Sequence, residues 1–264
     1  MTLAEFYKKL ENFAPKAISD EYCRRYDAYD NSGVLLNCGE EVKKVLFSLD
    51  FSSTALDRAV ETEANVIVTH HPAIYGKIGE ISVDTPLGNK LQRAIKNGIS
   101  VISMHLNFDC VRGGIDEYLA QGIGKKGETV IFFEPLNEES GVGYGRVYDV
   151  ETIKAKNLAE RLKNTFSTER IICYGEEKEI KRAASFCGAG ASESGIAFAA
   201  KHGADCVISS DFKHHLILLA LEYGMSVIAL THYAAENYGF ERIYQKLKTE
   251  LGVKSEYFCD RALL

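Results

Sequence analysis

Ala94-Ile95-Lys96-Asn97-Gly98-Ile99-Ser100-Val101-Ile102-Ser103-Met104 reads as the end of a helix, a glycine that stops it, and a buried strand. Ala220-Leu221-Glu222-Tyr223-Gly224-Met225-Ser226-Val227-Ile228-Ala229-Leu230 gives the same order again. In both, the glycine falls just past the helix C-cap, where a left-handed residue is favoured. An unbroken apolar run follows, as in a strand covered on both faces.

Working backwards from each copy, the repeat lengthens. Ala64-Asn65-Val66-Ile67-Val68-Thr69 matches Ala204-Asp205-Cys206-Val207-Ile208-Ser209, each a short β-rich run. Before them stand helical stretches at 53–61 and 192–201, with Ser53 and Ser192 as expected N-caps. Before those, a basic pair leads into a buried strand: Lys43-Lys44 within residues 42–50, and Lys181-Arg182 within 180–188. The chain therefore carries a strand–helix–strand–helix–strand unit twice. Such alternation predicts an α/β fold of parallel strands with helices packed over them. Right-handed crossovers then set the strand C-termini along one edge. Between the copies, residues 125–178 hold Gly141-Val142-Gly143-Tyr144-Gly145-Arg146, a strand near 146–150 and a helix near 153–166.

Composition narrows the function classes. The 264 residues carry a net charge of −6, with 46% hydrophobic and 26% charged residues. An acidic chain with only short basic runs such as Lys125-Lys126 lacks the positive stripe of a nucleic-acid binder. No apolar run approaches the roughly 20 residues of a membrane helix. The first ten residues pattern as an amphipathic helix rather than a signal core, so cytoplasmic residence is the expectation. The seven cysteines are scattered without a C-x-x-C, which argues against a disulfide framework or a thiolate zinc site.

The polar residues of the repeat carry the chemistry. The middle strands end in Thr69-His70-His71-Pro72 and in Ser209-Ser210-Asp211-Phe212-Lys213-His214-His215. The last strands end in Met104-His105-Leu106-Asn107-Phe108-Asp109 and in Leu230-Thr231-His232-Tyr233-Ala234-Ala235-Glu236. Six of the seven histidines thus lie just past strand ends; His202 alone sits elsewhere. One such histidine is usually structural, but six at equivalent edges, with Asp109, Asp211 and Glu236 among them, form the imidazole–carboxylate set of zinc, iron or manganese sites. His232 and Glu236 are i and i+4, so on a helix they share a face. His70 and His71 at a strand terminus can address two neighbouring cations, and Glu236 has two oxygens with which to bridge them. A dinuclear centre, with ions roughly 3.5–4 Å apart, is the expectation.

These segments, in this order, together with Gly113-Gly114-Ile115-Asp116-Glu117-Tyr118-Leu119-Ala120 and Gly143-Tyr144-Gly145-Arg146, resemble the Nif-three-like family, the GTP cyclohydrolase I type 2 homologues. The resemblance spans about residues 30–259 and is to the short form, without the inserted domain of longer members. It implies two intertwined, internally duplicated α/β units with mixed, largely parallel sheets covered by helices: residues 1–128 with 233–264, and 129–232. It implies two divalent metal ions per subunit on His70, His71, Asp109, His232 and Glu236. It also implies a toroidal homohexamer with its metals facing an internal cavity. Thr231, Ala235, Ser209-Ser210-Asp211 and Phe108 depart from the usual family residues, and none of these departures removes an implied ligand.

The implied reaction is metal-dependent hydrolysis, opening the guanine imidazole ring of GTP with release of formate. His105, Asp211, His214 and His215 are the candidates for orienting ligands or moving protons. The alternative is a metal-binding regulatory protein that binds a ligand or partner without turnover, since fold and metal do not fix function.

Overall fold

The structure is a computed structural model and describes residues 1–264. Along the chain run α1 (Leu3–Phe13), α2 (Lys16–Tyr26), β1 (Gly33–Leu36), β2 (Lys44–Ser48), α3 (Ser53–Glu61), β3 (Val66–Thr69), α4 (Pro86–Lys96), β4 (Ser100–Ser103) and α5 (Leu106–Cys110). Then come α6 (Ile115–Ile123), β5 (Ile131–Asn137), β6 (Val142–Lys154), α7 (Ala155–Phe166), β7 (Ile172–Tyr174), β8 (Glu179–Ser185), α8 (Glu193–Lys201), β9 (Cys206–Ser209), α9 (His214–Glu222), β10 (Ser226–Ala229), α10 (His232–Leu247) and β11 (Lys254–Phe258). They form two compact units: Met1–Val111 with Phe240–Asp260, and Arg112–Gly239 with Arg261–Leu264. Helix α10 starts in the second unit and finishes in the first. No helix is long and apolar enough to cross a membrane.

The first unit holds a five-stranded sheet in the order β1-β4-β3-β2-β11. β4, β3, β2 and β11 run parallel, and β1 is an antiparallel edge. β3 and β4 are buried at every position, as strands covered on both faces must be. On one face, Leu46, Ile67 and Val101 pack beneath Leu56 of α3 and Leu91 of α4. Phe47, Phe108 and Phe240 cluster with ring centroids 6.1–6.2 Å apart along the pairs each makes with Phe240. The second unit holds a six-stranded sheet, β5-β6-β8-β9-β10-β7. Its centre, β8-β9-β10, is parallel, and antiparallel strands flank it on both sides.

The duplication is visible in the hydrogen bonds. Asn65, leading into β3, accepts from the Lys43 and Lys44 amides through Oδ1 (2.9 and 3.3 Å). Asp205, leading into β9, accepts from the Lys181 and Arg182 amides through Oδ2 (2.8 and 3.0 Å). The next strands repeat the rule: Ser100 N donates to Asn65 O and Ser226 N to Asp205 O. The basic pairs recognised in the sequence thus mark where the residue leading into the neighbouring strand ties down the start of β2 and the middle of β8. Gly98 and Gly224 have φ of +65° and +74°, the left-handed turn that ends α4 and α9. Ser192 caps α8 as expected. In α3 the cap is Ser52, one residue before the expected Ser53, because its hydroxyl reaches the Ala55 amide at 3.0 Å.

Candidate metal centre

In the first unit the donors follow from how β3 and β4 end. Their last residues, Thr69 and Ser103, are in register, and their hydroxyls lie 2.7 Å apart. Thr69 Oγ1 donates to the His71 carbonyl, and Ser103 Oγ accepts from the Ala73 amide. The amides of His70 and His71 both donate to Leu49 O at 3.1 Å. This web fixes a turn in which two consecutive histidines sit on one side, with ring centroids 4.8 Å apart. His105, just past β4, brings its ring to 5.0 Å from His70 and 5.9 Å from His71. One donor atom from each of the three lies within 4.8 Å of the others, close enough for a shared cation.

Each ring is held through Nδ1. His70, fully buried, lies 3.0 Å from the Met104 carbonyl, and His71 is 2.7 Å from Asp50 Oδ1. His105 is 2.8 Å from Asp30 Oδ1. An acceptor at Nδ1 places the proton there and leaves the Nε2 lone pair as the donor, the arrangement that readies an imidazole for a metal. Asp109, buried on α5, puts Oδ1 3.5 Å from His70 Nε2. Burial of Asp30 opposes its charge, but the hydrogen bond and charge of His105, with the Ser19 and Ser32 hydroxyls, outweigh it. Its carboxyl is held well below the usual carboxylate range.

The second unit holds a smaller set. His232 opens α10 directly after β10, with Nδ1 2.6 Å from Asp211 Oδ2 and Nε2 3.0 Å from Glu236 Oε2, one helical turn on. Asp211 sits at φ +54°, a left-handed conformation that aspartate tolerates better than most residues. Gly188, just beyond β8, has φ +54°, and a Cβ there would lie 2.5 Å from Glu236 Oε1. In the repeat, Gly188 is the counterpart of Asp50. Where the first unit places an acid that orients His71, the second leaves room for an acid arriving from α10.

The site residues named from sequence therefore fall into groups. His70, His71, His105 and Asp109 come together in the first unit. His232, Glu236 and Asp211 come together in the second. His214 and His215 lie exposed on the first turn of α9, where His215 faces Glu193 at 3.9 Å, and neither joins a donor cluster. The sequence reading missed Asp30 and Asp50. Asp50 lies two residues past β2, but its counterpart in the repeat is Gly188, so the comparison of the two copies showed no acid there. Asp30 lies in a loop 75 residues from His105 and has no periodic signal.

Two further motifs are structural. Asp116 and Arg146 form a fully buried ion pair at 2.7 Å, with the Arg146 guanidinium 4.6 Å from the centre of the Phe132 ring. The Gly143-Tyr144-Gly145-Arg146 and Gly113–Ala120 segments are thus halves of one internal contact. None of the seven cysteines is in a disulfide.

The family described as Duf34/NIF3 (NGG1p interacting factor 3) matches residues 1–260. The GTP cyclohydrolase 1 type 2 homolog of Clostridium acetobutylicum is 31% identical over 231 residues, covering 86% of this chain and 82% of that protein. The GTP cyclohydrolase 1 type 2 of Helicobacter pylori J99 is 30% identical over 223 residues, 84% of each chain. Among solved structures, a Bacillus cereus protein related to NIF3 has the same fold, with a TM-score of 0.85 at 17% identity over 98% of this chain and 96% of that one.

Proposed function

The chain belongs to the Duf34/NIF3 family, and from that premise we propose that it is a hydrolase dependent on two divalent cations, of the GTP cyclohydrolase 1 type 2 kind. The ligands in this reading are His70, His71, Asp109, His232 and Glu236, and the cations are zinc, iron or manganese. The observation that carries it is the shared preparation of the imidazoles. His70, His71 and His232 each have Nδ1 against an acceptor, which commits Nε2 to donation. Within the first unit, the Phe240 ring lies 6.3 Å from that of His70 and backs it on the apolar side.

Bound divalent cations would supply Lewis acidity and a lowered pKa for water. The chain's own residues supply the rest. Asp109 and Glu236 balance positive charge in a buried setting. Asp50 and Asp211 position His71 and His232. His105 is the group for moving a proton: Asp30 holds its Nδ1 and, as a carboxylate, stabilises the ring when Nε2 accepts one. His214 and His215 enter only as exposed proton carriers on α9. The substrate reaction is hydrolytic opening of the guanine imidazole ring of GTP with release of formate. The assembly proposed with it is a homohexamer, near six times the 29.3 kDa of one chain in sedimentation.

The test is elemental analysis of the purified protein, paired with a formate assay on GTP. Two ions per chain, lost in His70→Ala and reduced in Glu236→Gln, with formate released by the wild type, is the expected result. Retained metal in His70→Ala would remove the site. Metal without turnover of GTP would leave a metal-binding regulatory protein instead.

A further inference from the structure

Of the 13 phenylalanines and 14 tyrosines, only Tyr29, Tyr75 and Tyr223 are exposed. Two of the three stand together. The rings of Tyr29 and Tyr75 are 5.2 Å apart, edge to face at 80°, with 54% and 55% of each residue open to solvent. They come from separate loops, one before β1 and one after β3, and both loops are tied. Asn31 Nδ2 donates to the Ile74 carbonyl at 2.6 Å, and the Tyr75 hydroxyl donates to the Tyr29 carbonyl at 3.4 Å.

These are also the loops that furnish the first unit's donor set. Tyr29 directly precedes Asp30, which holds His105. Tyr75 lies four residues after His71, a span of at most about 14 Å. An exposed aromatic pair that is pinned at both ends, beside a polar cluster, is unusual for surface tyrosines. Solvent exposure of large rings is unfavourable, and a solvated loop gains nothing from holding two of them in one geometry. Edge-to-face packing leaves an L-shaped corner in which a third flat ring can stack on one tyrosine and meet the edge of the other.

We propose that Tyr29 and Tyr75 form a stacking corner for a planar heteroaromatic ring, setting specificity for nucleobase substrates at the histidine cluster. The corner rests on the hydrolase reading for its choice of GTP as ligand. Its own claim is recognition of the base rather than of the phosphates, and it adds the residues responsible. Stacking of a base on an aromatic side chain is tolerant of base identity. The corner therefore selects flat rings over ribose phosphates, and leaves discrimination among bases to polar groups.

The chain has no tryptophan, so Tyr75→Trp in the metal-loaded protein gives a single tryptophan at the corner, excited apart from the tyrosines. GTP and guanosine should both quench it, whereas inorganic tripolyphosphate should not. Replacing both tyrosines with leucine should weaken GTP binding by roughly ten-fold or more. KM should rise more than kcat falls, and phenylalanine at both positions should restore affinity. Quenching by tripolyphosphate alone, or a leucine pair that binds GTP like the wild type, overturns the corner. If GTP is turned over and the leucine pair keeps its KM, the corner fails and the hydrolase stands. If GTP and guanosine quench but no formate appears, the hydrolase fails and the corner stands.

Discussion

Glu236 occupies the space that a side chain at position 188 would fill: a Cβ on Gly188 would come 2.5 Å from Glu236 Oε1 and 3.4 Å from His232 Nε2. The glycine is required twice over, because its φ of +54° also disfavours any residue with a Cβ. Gly188→Ala is therefore expected to lower stability by about 1–3 kcal/mol and to displace the carboxylate. Thermal unfolding reads the first effect and metal content the second. An alanine variant with wild-type metal content would show that Glu236 is not a ligand in its present position.

The aspartates behind the histidines should matter without touching a cation. Asp50→Ala and Asp211→Ala each remove an acceptor at Nδ1, and loss of such a partner typically costs about 10–100-fold in metal affinity. Asn at either position keeps an acceptor and should cost less. Competition with a chromogenic chelator measures both. Equal affinities for the alanine variants and the wild type would show that the aspartates do not orient the rings for a cation.

Asp30 predicts an acid limb in stability. Its carboxyl is held below the ordinary value of about 4, so it adds stability above that value and loses it as pH falls toward the folded pKa. Asp30→Asn should be less stable at pH 7 and show a shallower decline on the acid side. Urea midpoints across pH 2.5–7, a window chosen around the ordinary aspartate value, check the slope. Parallel curves for the two proteins would show that the His105 contact contributes nothing.

The Asp116–Arg146 pair should be the most sensitive polar contact of the second unit. Both side chains are buried, and Asp116 Oδ1 also accepts from the Cys187 amide at 3.3 Å. Asp116→Ala leaves an uncompensated guanidinium and should cost about 3–5 kcal/mol. Replacing both partners by apolar residues should cost much less than this single change. Urea denaturation of the single and double variants gives the comparison.

What was legible in the sequence was what repeats. The glycine-terminated helices and all-apolar strands recur at Gly98 and Gly224, and the structure turns there as the pattern requires. The histidines were legible because strand ends are a position the pattern defines. The orienting aspartates were not. Asp50 was masked because its counterpart is Gly188, so the comparison that revealed the histidines hid the acid. Asp30 reaches His105 across 75 residues of chain, a pairing no local period encodes. β1 and β11 were missed for the same reason: each is an edge strand whose partner, β4 or β2, lies far away in sequence.

The closing strand has a consequence for synthesis of the protein. β11 is the parallel neighbour of β2, and Phe240 and Tyr257 pack against each other beside Phe47. A nascent chain emerging from the ribosome has made β1 to β4 long before these pieces exist. The amino-terminal sheet must wait with an open edge until β11 arrives, while residues 112–239 already hold all six strands of the second sheet and can collapse first. Chains truncated at residue 239 and released from the ribosome should then resist proteolysis in their middle portion and be cut readily before it.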